Sequence, residues 1–520
     1  MSGAGGATPE RATIVVLDFG SQLSQLIARR VREIEVYSEL HPCNIPIDRL
    51  RALRPKAIIL SGGPDSVYAP GAPHVDPAIF GLGVPVLGIC YGMQAMAHAL
   101  EGRVERVPER EFGPATLEVT VPNPLFAGLP ARQKVWMSHG DQIVEPPAGF
   151  TVSARTPTTA CAAMSDEKRR IHGILFHPEV THTEHGRAIL EAFVRRVAGC
   201  PATWRTAGFV EEAVTRVRAT VGDGRVIAGL SGGVDSAVAA LLIDRAIGDR
   251  LQCLFVDNGL LRQNEGDEVE QAFRDRFHLP VRRVDAAAAF LEALAGVVDP
   301  EEKRRVIGRV FVEVFEREAT RLGPVDFLAQ GTLYPDLIES TSVKGPSAVI
   351  KTHHNVGGLP AGMRLRLVEP LRELFKDEVR RTGLLLGLDA GFVGRHPFPG
   401  PGLAVRILGE VTRERLDLLR RADALFIDAL RAHGLYDATA QAFVVLLPVK
   451  SVGVMGDGRT YENVAALRAV TSDDFMTADW ARLPHDFLAE VSARIVNEVR
   501  GINRVVYDVS SKPPATIEWE

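Results

Sequence analysis

The sequence predicts an α/β protein of several domains. Short β-rich runs alternate with helical patterns from Thr13 onward, a fresh strand–turn–helix start appears near Arg225, and residues 395–402 carry too much proline and glycine for regular structure. In the first part the runs are Ile14-Val15-Val16-Leu17, Ala57-Ile58-Ile59-Leu60 and Val84-Pro85-Val86-Leu87, each followed by a helical pattern, which is how a parallel sheet with covering helices reads. Residues 115–175 are more strand-rich, and a helix over 186–197 leads into Gly199-Cys200-Pro201, where the first domain closes. A second unit opens with a strand over 225–230, a glycine-rich turn, a helix over 237–246 and a strand over 251–256. The expected divisions are a flexible small and polar segment at 1–10, then domains at 11–200, 201–395 and 396–520; a chain of 520 residues exceeds what one core ordinarily serves.

A hydrophobic fraction of 46%, a charged fraction of 24% and a formal net charge of −5 argue against disorder and against an extended nucleic-acid surface, leaving small molecules as the expected partners. The five cysteines are an odd number, widely spread and without a Cys-x-x-Cys pair, so neither a disulfide framework nor a thiolate zinc site is expected. That usage fits a reducing, cytoplasmic setting, and no run is apolar for the length of a membrane span. His182 and His185 lack the further ligands of a zinc site, and adjacent His353 and His354 direct their side chains apart if extended.

Gly88-Ile89-Cys90-Tyr91-Gly92 follows one apolar run and precedes a helical pattern, which puts Cys90 on a sharp turn at a helix N-terminus. Flanking glycines permit a strained turn, and the N-terminal end of the helix favours a thiolate. A small buried apolar residue is the plain alternative. A thiolate nucleophile needs a base and a group to orient it, and Phe176-His177-Pro178-Glu179 supplies both. Ser61-Gly62-Gly63-Pro64 ends a strand, where the Gly63 amide and that of Tyr91 can meet a developing oxyanion.

In this order and spacing the three motifs resemble the class I glutamine amidotransferases. The resemblance implies that Cys90 attacks the glutamine side-chain amide, His177 moves protons, Glu179 orients His177, and Gly63 with Tyr91 form the oxyanion hole. It also implies that Gln94, Ser138, His139 and Asp141 contact glutamine. Leu175 departs from the family, where Gln often precedes Phe-His-Pro-Glu.

Ser231-Gly232-Gly233-Val234-Asp235-Ser236 follows a strand and opens a helix, so its amides and the helix dipole suit a polyphosphate. The lysine of a Walker loop is missing, while Asp235 can hold magnesium on bound phosphates; a glycine turn with a capping serine is the bland reading. The hexapeptide resembles the loop of the ATP pyrophosphatases, in the adenine nucleotide alpha hydrolase-like class, which cleave between α- and β-phosphates. On that resemblance Val256, at the end of the next strand, lies near adenosine.

Further runs resemble the glutamine-hydrolysing GMP synthase family over nearly the whole chain: residues 331–340, 351–358, 369–377, 395–402 and 512–520. The resemblance implies a lid and ATP site with Asp336, Glu339, Lys351, Lys376 and Asp377. It implies contacts to xanthosine monophosphate from Arg304, Arg395, Lys512, Ile517 and Glu518, with magnesium and ATP required, and a homodimer formed through a small α+β C-terminal domain. Glutamine, ATP and xanthosine monophosphate are then the partners, with no nucleic acid and no membrane.

Overall fold

The computed structural model describes residues 13–21, 23–63, 66–341, 365–455, 458–472, 475 and 477–520. The segment expected to be flexible at 1–10 and the motif at 351–358 lie outside the described residues. The chain divides into two compact units, Met1–Phe209 with Leu337–Lys351 and Val210–Asp336 with Thr352–Glu520.

The first unit is built on a nine-stranded sheet in the order β2-β1-β3-β4-β9-β8-β7-β5-β6. Its strands are β1 (Thr13–Asp18), β2 (Tyr37–Pro42), β3 (Ala57–Leu60), β4 (Val86–Ile89), β5 (Arg103–Val119), β6 (Arg132–Glu145), β7 (Thr151–Arg155), β8 (Ala163–Asp166) and β9 (Ile171–Ile174). β2, β1, β3, β4 and β9 run parallel. The continuous apolar runs explain this placement, because Ile14–Leu17 residues and all of β3 and β4 are buried, as central parallel strands must be. The apolar run at 84–87 becomes a strand only at Val86: Pro85 gives its carbonyl to the Ile58 N–H (2.9 Å) but has no N–H of its own. The remaining strands are antiparallel, dominated by the long β5–β6 pair.

The second unit opens with a parallel sheet ordered β12-β11-β10-β13-β14, comprising β10 (Val226–Leu230), β11 (Leu251–Asp257), β12 (Val281–Asp285), β13 (Phe327–Ala329) and β14 (Arg366–Val368). Successive strands step outward on one side of β10 and then resume on its other side, so the order reverses between β10 and β13. Such a switch point leaves a crevice beyond the carboxyl ends of the strands. A second, mainly antiparallel sheet follows: β15 (Gln441–Met455), β16 (Gly458–Thr471), β17 (Asp479–Trp480) and β18 (Ile502–Tyr507), which pairs parallel with β16. Helix Arg413–Ala432 starts at Thr412, whose hydroxyl accepts from the Arg415 N–H (3.2 Å), and buries Leu416, Leu419, Phe426 and Leu430.

One buried apolar cluster joins Ile227 and Leu254 of the parallel sheet to Leu419 and Phe426 of that helix and to Leu446 and Ile495. The same cluster takes in Val310 and Phe315 before position 395 and Leu403 and Ile407 after it, so a continuous core lies beneath the division expected at 395/396. No described helix is long and apolar enough to cross a membrane. All five cysteines are free thiols.

Candidate active site

Cys90 stands between β4 and helix Tyr91–Ala99 with φ 51° and ψ −111°, a backbone setting that costs an L-residue about 1–3 kcal/mol. The surrounding ladder holds it there. Its N–H donates to the Ile174 carbonyl (2.8 Å), and its own carbonyl accepts from Met93 and Gln94 (3.0 and 3.2 Å). The helix start docks onto the end of β3 so closely that a Cβ at Gly92 would lie 2.3 Å from the Leu60 carbonyl oxygen. A Cβ at Gly63 would meet the Tyr91 ring at 2.6 Å, so Gly63 and Tyr91, the two oxyanion candidates, are packed against each other. Tyr91 is the first helical residue, and its N–H is among those with no intrahelical acceptor. Ser61 turns inward instead: its hydroxyl accepts from the Phe19 N–H (3.1 Å) and from Ser24 Oγ (3.0 Å), tying the ends of β1 and β3.

His177 follows β9, the neighbour of β4, and its N–H donates to the Trp136 carbonyl (2.9 Å). Its Nδ1 pairs with Glu179 Oε1 at 2.8 Å, with both residues buried. Thr183 Oγ1 donates to the His177 carbonyl (2.6 Å), and Arg30 Nε donates to the Glu179 carbonyl (3.0 Å). Burial opposes charge on this imidazole, yet the Glu179 carboxylate and the Cys90 sulfur outweigh it and push the group up to about 11. With Nδ1 committed to Glu179, Nε2 is the nitrogen left for Cys90. Burial pushes the Cys161 and Cys253 thiols up to about 12, so those cysteines are suited to packing rather than attack.

The strand opposite the nucleophile is β6. Cys90 Sγ lies 3.5 Å from the Ser138 carbonyl, and Gln94 Nε2 donates to the Asp141 carbonyl (2.9 Å). Asp141 Oδ2 is buried with no hydrogen-bond partner among the described residues, an acceptor left open to a donor. His139 turns its ring toward Glu111, with Nε2 3.5 Å from Glu111 Oε2. Thus Cys90, Tyr91, Gln94, Gly63, Ser138, Asp141, His177 and Glu179 cluster at the carboxyl ends of β3, β4 and β9 and along β6, while the His139 ring points to Glu111.

In the second unit the Ser231–Ser236 turn lies at the switch point, directly after β10. Gly232 has φ +77°, and a Cβ there would lie 2.8 Å from Val269 Cγ2, so glycine is required on two counts. Ser231 and Ser236 hydroxyls bond each other (3.1 Å), Gly233 N–H donates to Ser231 Oγ (3.3 Å), and helix Val234–Ile247 begins at Gly233. Asp235 Oδ2 is paired with Lys376 Nζ, whereas Asp235 Oδ1 is buried without a hydrogen-bond partner among the described residues. Among the described residues no cluster of His, Cys, Asp and Glu could by itself hold a metal. One carboxylate with an open oxygen at the start of a helix after a glycine turn is a donor of the kind magnesium takes, since that ion is commonly held by one or two carboxylates plus substrate phosphates. Gly331, after β13, backs onto Asp235, its Cβ position 3.6 Å from the Asp235 backbone. Val256 is buried in β11.

Of the expected lid residues, Asp336 Oδ2 accepts from the Leu333 N–H (2.9 Å) and Asp377 pairs with Arg381 (2.8 Å). Lys351 and the Glu339 side chain lie outside the described residues. Among the expected nucleotide contacts, Arg304 pairs with Glu301 (2.5 Å), and Arg395 stacks over Phe392 (5.0 Å to the centroid) with Glu268 at 3.7 Å. Lys512 Nζ donates to the Phe475 carbonyl (2.7 Å), and Ile517 is buried among Phe443, Val445 and Ala466. Glu518 accepts two bonds from Arg406 (3.1 and 2.9 Å) and one from Gln441 Nε2 (2.7 Å). Gln441 Nε2 also reaches the Pro397 carbonyl (3.4 Å), linking the tail to the loop that follows Arg395.

Sequence reasoning missed Arg406, Gln441, Lys303 and Glu111. Lys303 is wholly buried and donates to the Ala404 and Ile407 carbonyls (3.2 and 2.6 Å) and to Glu520 (2.5 Å). No motif marks these residues, because their partners are distant in sequence.

Comparison with known proteins matches three family models: class I glutamine amidotransferase over residues 15–197, NAD synthase over 205–296, and the GMP synthase C-terminal domain over 428–519. The chain is 58% identical over 510 residues to a glutamine-hydrolysing GMP synthase of Solidesulfovibrio magneticus, covering 98% of this chain and 99% of that one. It is 59% identical to the protein of that name from Azoarcus sp. (98% and 99% covered) and 57% identical to that from Bradyrhizobium diazoefficiens (98% and 93%). With a strained cysteine beside a buried His–Glu pair in one unit and a glycine turn at the switch point of the other, and with identity extending nearly end to end, the chain belongs to the glutamine-hydrolysing GMP synthase family.

Proposed function

We propose that this chain makes GMP from xanthosine monophosphate, using ATP to activate the 2-oxygen and glutamine as the source of ammonia. The observation that carries the reading is the presence, in one polypeptide, of Cys90 at φ 51° with the buried His177–Glu179 pair (2.8 Å) and of a glycine turn opening a helix at Ser231–Ser236. The first hydrolyses glutamine to glutamate and ammonia. Cys90 sulfur attacks the amide carbon, Gly63 and Tyr91 amides receive the negative oxygen, and His177 passes its proton to the departing nitrogen; water then releases glutamate from the thioester. Gln94, Ser138 and Asp141 hold the substrate.

At the second site the amides of Gly232, Gly233 and Val234 cradle the phosphates with Ser231 and Ser236, and Val256 lies beside the adenosine. Magnesium, when bound, neutralises phosphate charge; Asp235 would hold it and Lys376 lies beside that carboxylate. The xanthine oxygen attacks the α-phosphorus and expels pyrophosphate, and ammonia then displaces AMP from the adenylylated base to leave GMP. Arg304, Arg395, Lys512, Ile517 and Glu518 bind the acceptor nucleotide, with Asp336, Glu339, Lys351 and Asp377 closing over ATP. Domains run 11–200, 201–395 and 396–520. Free thiols support a cytoplasmic setting. Exposed Val449, Val452, Val454 and Tyr461 on the β15–β16 hairpin support homodimerisation through the C-terminal part.

The test is GMP formation by purified protein from ATP, magnesium and xanthosine monophosphate, with glutamine or ammonium as nitrogen source. Cys90→Ala abolishes the glutamine-dependent reaction and leaves the ammonium-dependent one near the wild-type rate. A folded variant that loses both would contradict two separable sites.

A further inference from the structure

β5 and β6 leave register beside the glutamine site: Arg106 pairs with Asp141 and Glu111 with His139, so residues 107–110 loop out opposite Gly140 alone. Such a bulge interrupts the ladder beside the segment whose carbonyls face Cys90 Sγ (Ser138, 3.5 Å) and Gln94 (Asp141, 2.9 Å). Glu111 is where pairing resumes, and its carboxylate is tied down. Oε2 accepts from Thr159 Oγ1 (2.7 Å) and Thr156 Oγ1 (3.1 Å) and lies 3.5 Å from His139 Nε2. The threonine loop is itself braced: Thr159 N–H donates to Thr156 Oγ1 (3.1 Å), and Gln142 Nε2 donates to the Thr158 carbonyl (3.1 Å). Both threonines and His139 are buried.

We infer that Glu111 is a positioning residue for the glutamine site: through His139 and the Thr156–Thr159 loop it fixes the Ser138–Asp141 stretch of β6 at the spacing glutamine requires. Burial raises the Glu111 carboxyl, but the His139 ring beside it and the hydrogen bonds from Thr159 and Thr156 more than offset it and bring the group to about 2, so the anchor stays ionised across the working pH range. Glu111 touches neither Cys90 nor the reacting atoms; it acts on substrate binding. The inference rests on the glutaminase reading of the Cys90 site.

The test compares the full chain with Glu111→Ala, Glu111→Gln and Thr159→Val in glutamine- and ammonium-dependent GMP synthesis. Glu111→Ala is expected to raise KM for glutamine about tenfold or more, with kcat at saturation within about threefold and ammonium-dependent synthesis unchanged. Glu111→Gln, whose amide oxygen still accepts from the threonines, recovers part of the loss, and Thr159→Val gives a smaller rise in KM. An unmoved KM in Glu111→Ala, or a fall confined to kcat, overturns the inference. If Glu111→Ala also loses ammonium-dependent synthesis, Thr159→Val decides, and a wild-type KM there overturns it. Absence of glutamine turnover in the wild type would instead bring down the underlying reading before any variant is compared.

Discussion

Glu179 uses one oxygen to hold His177 and keeps the other, Oε2, buried without a hydrogen-bond partner among the described residues. The carboxylate faces the imidazole ring that it orients. Because His177 holds its proton more tightly folded than at the unfolded value near 6.5, its contribution to stability is complete below about 6.5 and is lost as pH climbs through about 11. Glu179→Gln removes the charge that sustains this. Glutamine-dependent kcat/KM should fall by roughly 10²–10⁴-fold while ammonium-dependent synthesis persists. Thermal melts at pH 6.5 and pH 10 provide the check on the pair: the stability gap between wild type and variant narrows at the higher pH. A gap independent of pH would mean that the carboxylate does not hold the proton on His177.

Elements differ in how far sequence reveals them. The turns at Cys90 and Ser231 are legible because strand, glycine and helix start follow one another within a few residues, and each glycine answers a local steric demand such as the 2.3 Å approach at Gly92. The β5–β6 pair is much less so: Pro108 and Pro114 and the charged residues around the bulge mask its alternation, and its pairing joins residues far apart in the chain. Hence Ser138 and Asp141 come to the site only by resemblance, and Glu111 not at all. The β15–β16 hairpin makes its own demand, since Val454 is 77% exposed and Tyr461 56%. The homodimer proposed above would cover these two exposed apolar side chains. Val454→Asp is expected to shift the molecule toward monomer by about tenfold or more in Kd in sedimentation equilibrium. A wild-type monomer, or a dimer untouched by the substitution, would rule this surface out.

At the scale of the molecule, the C-terminal tail is fixed by buried cations. Arg406 grips Glu518, Lys303 grips Glu520, and Arg468 donates to the Ser510 and Thr516 carbonyls (2.6 and 3.2 Å). Arg406 and Glu518 are 112 residues apart, which is why their pairing has no signature in the sequence. The tail, the loop after Arg395 and helix Pro300–Arg321 are thereby joined above the core that runs under both sheets of this unit. The two chemistries are coupled by one atom, the nitrogen that leaves glutamine and enters the purine. The most direct measurement supplies amide-¹⁵N glutamine and xanthosine monophosphate labelled with ¹⁸O at the 2-position, and follows both labels by mass spectrometry. The account predicts ¹⁵N in the 2-amino group of GMP and ¹⁸O in the AMP released with pyrophosphate. Appearance of ADP and orthophosphate in their place, or of unlabelled AMP, would contradict it.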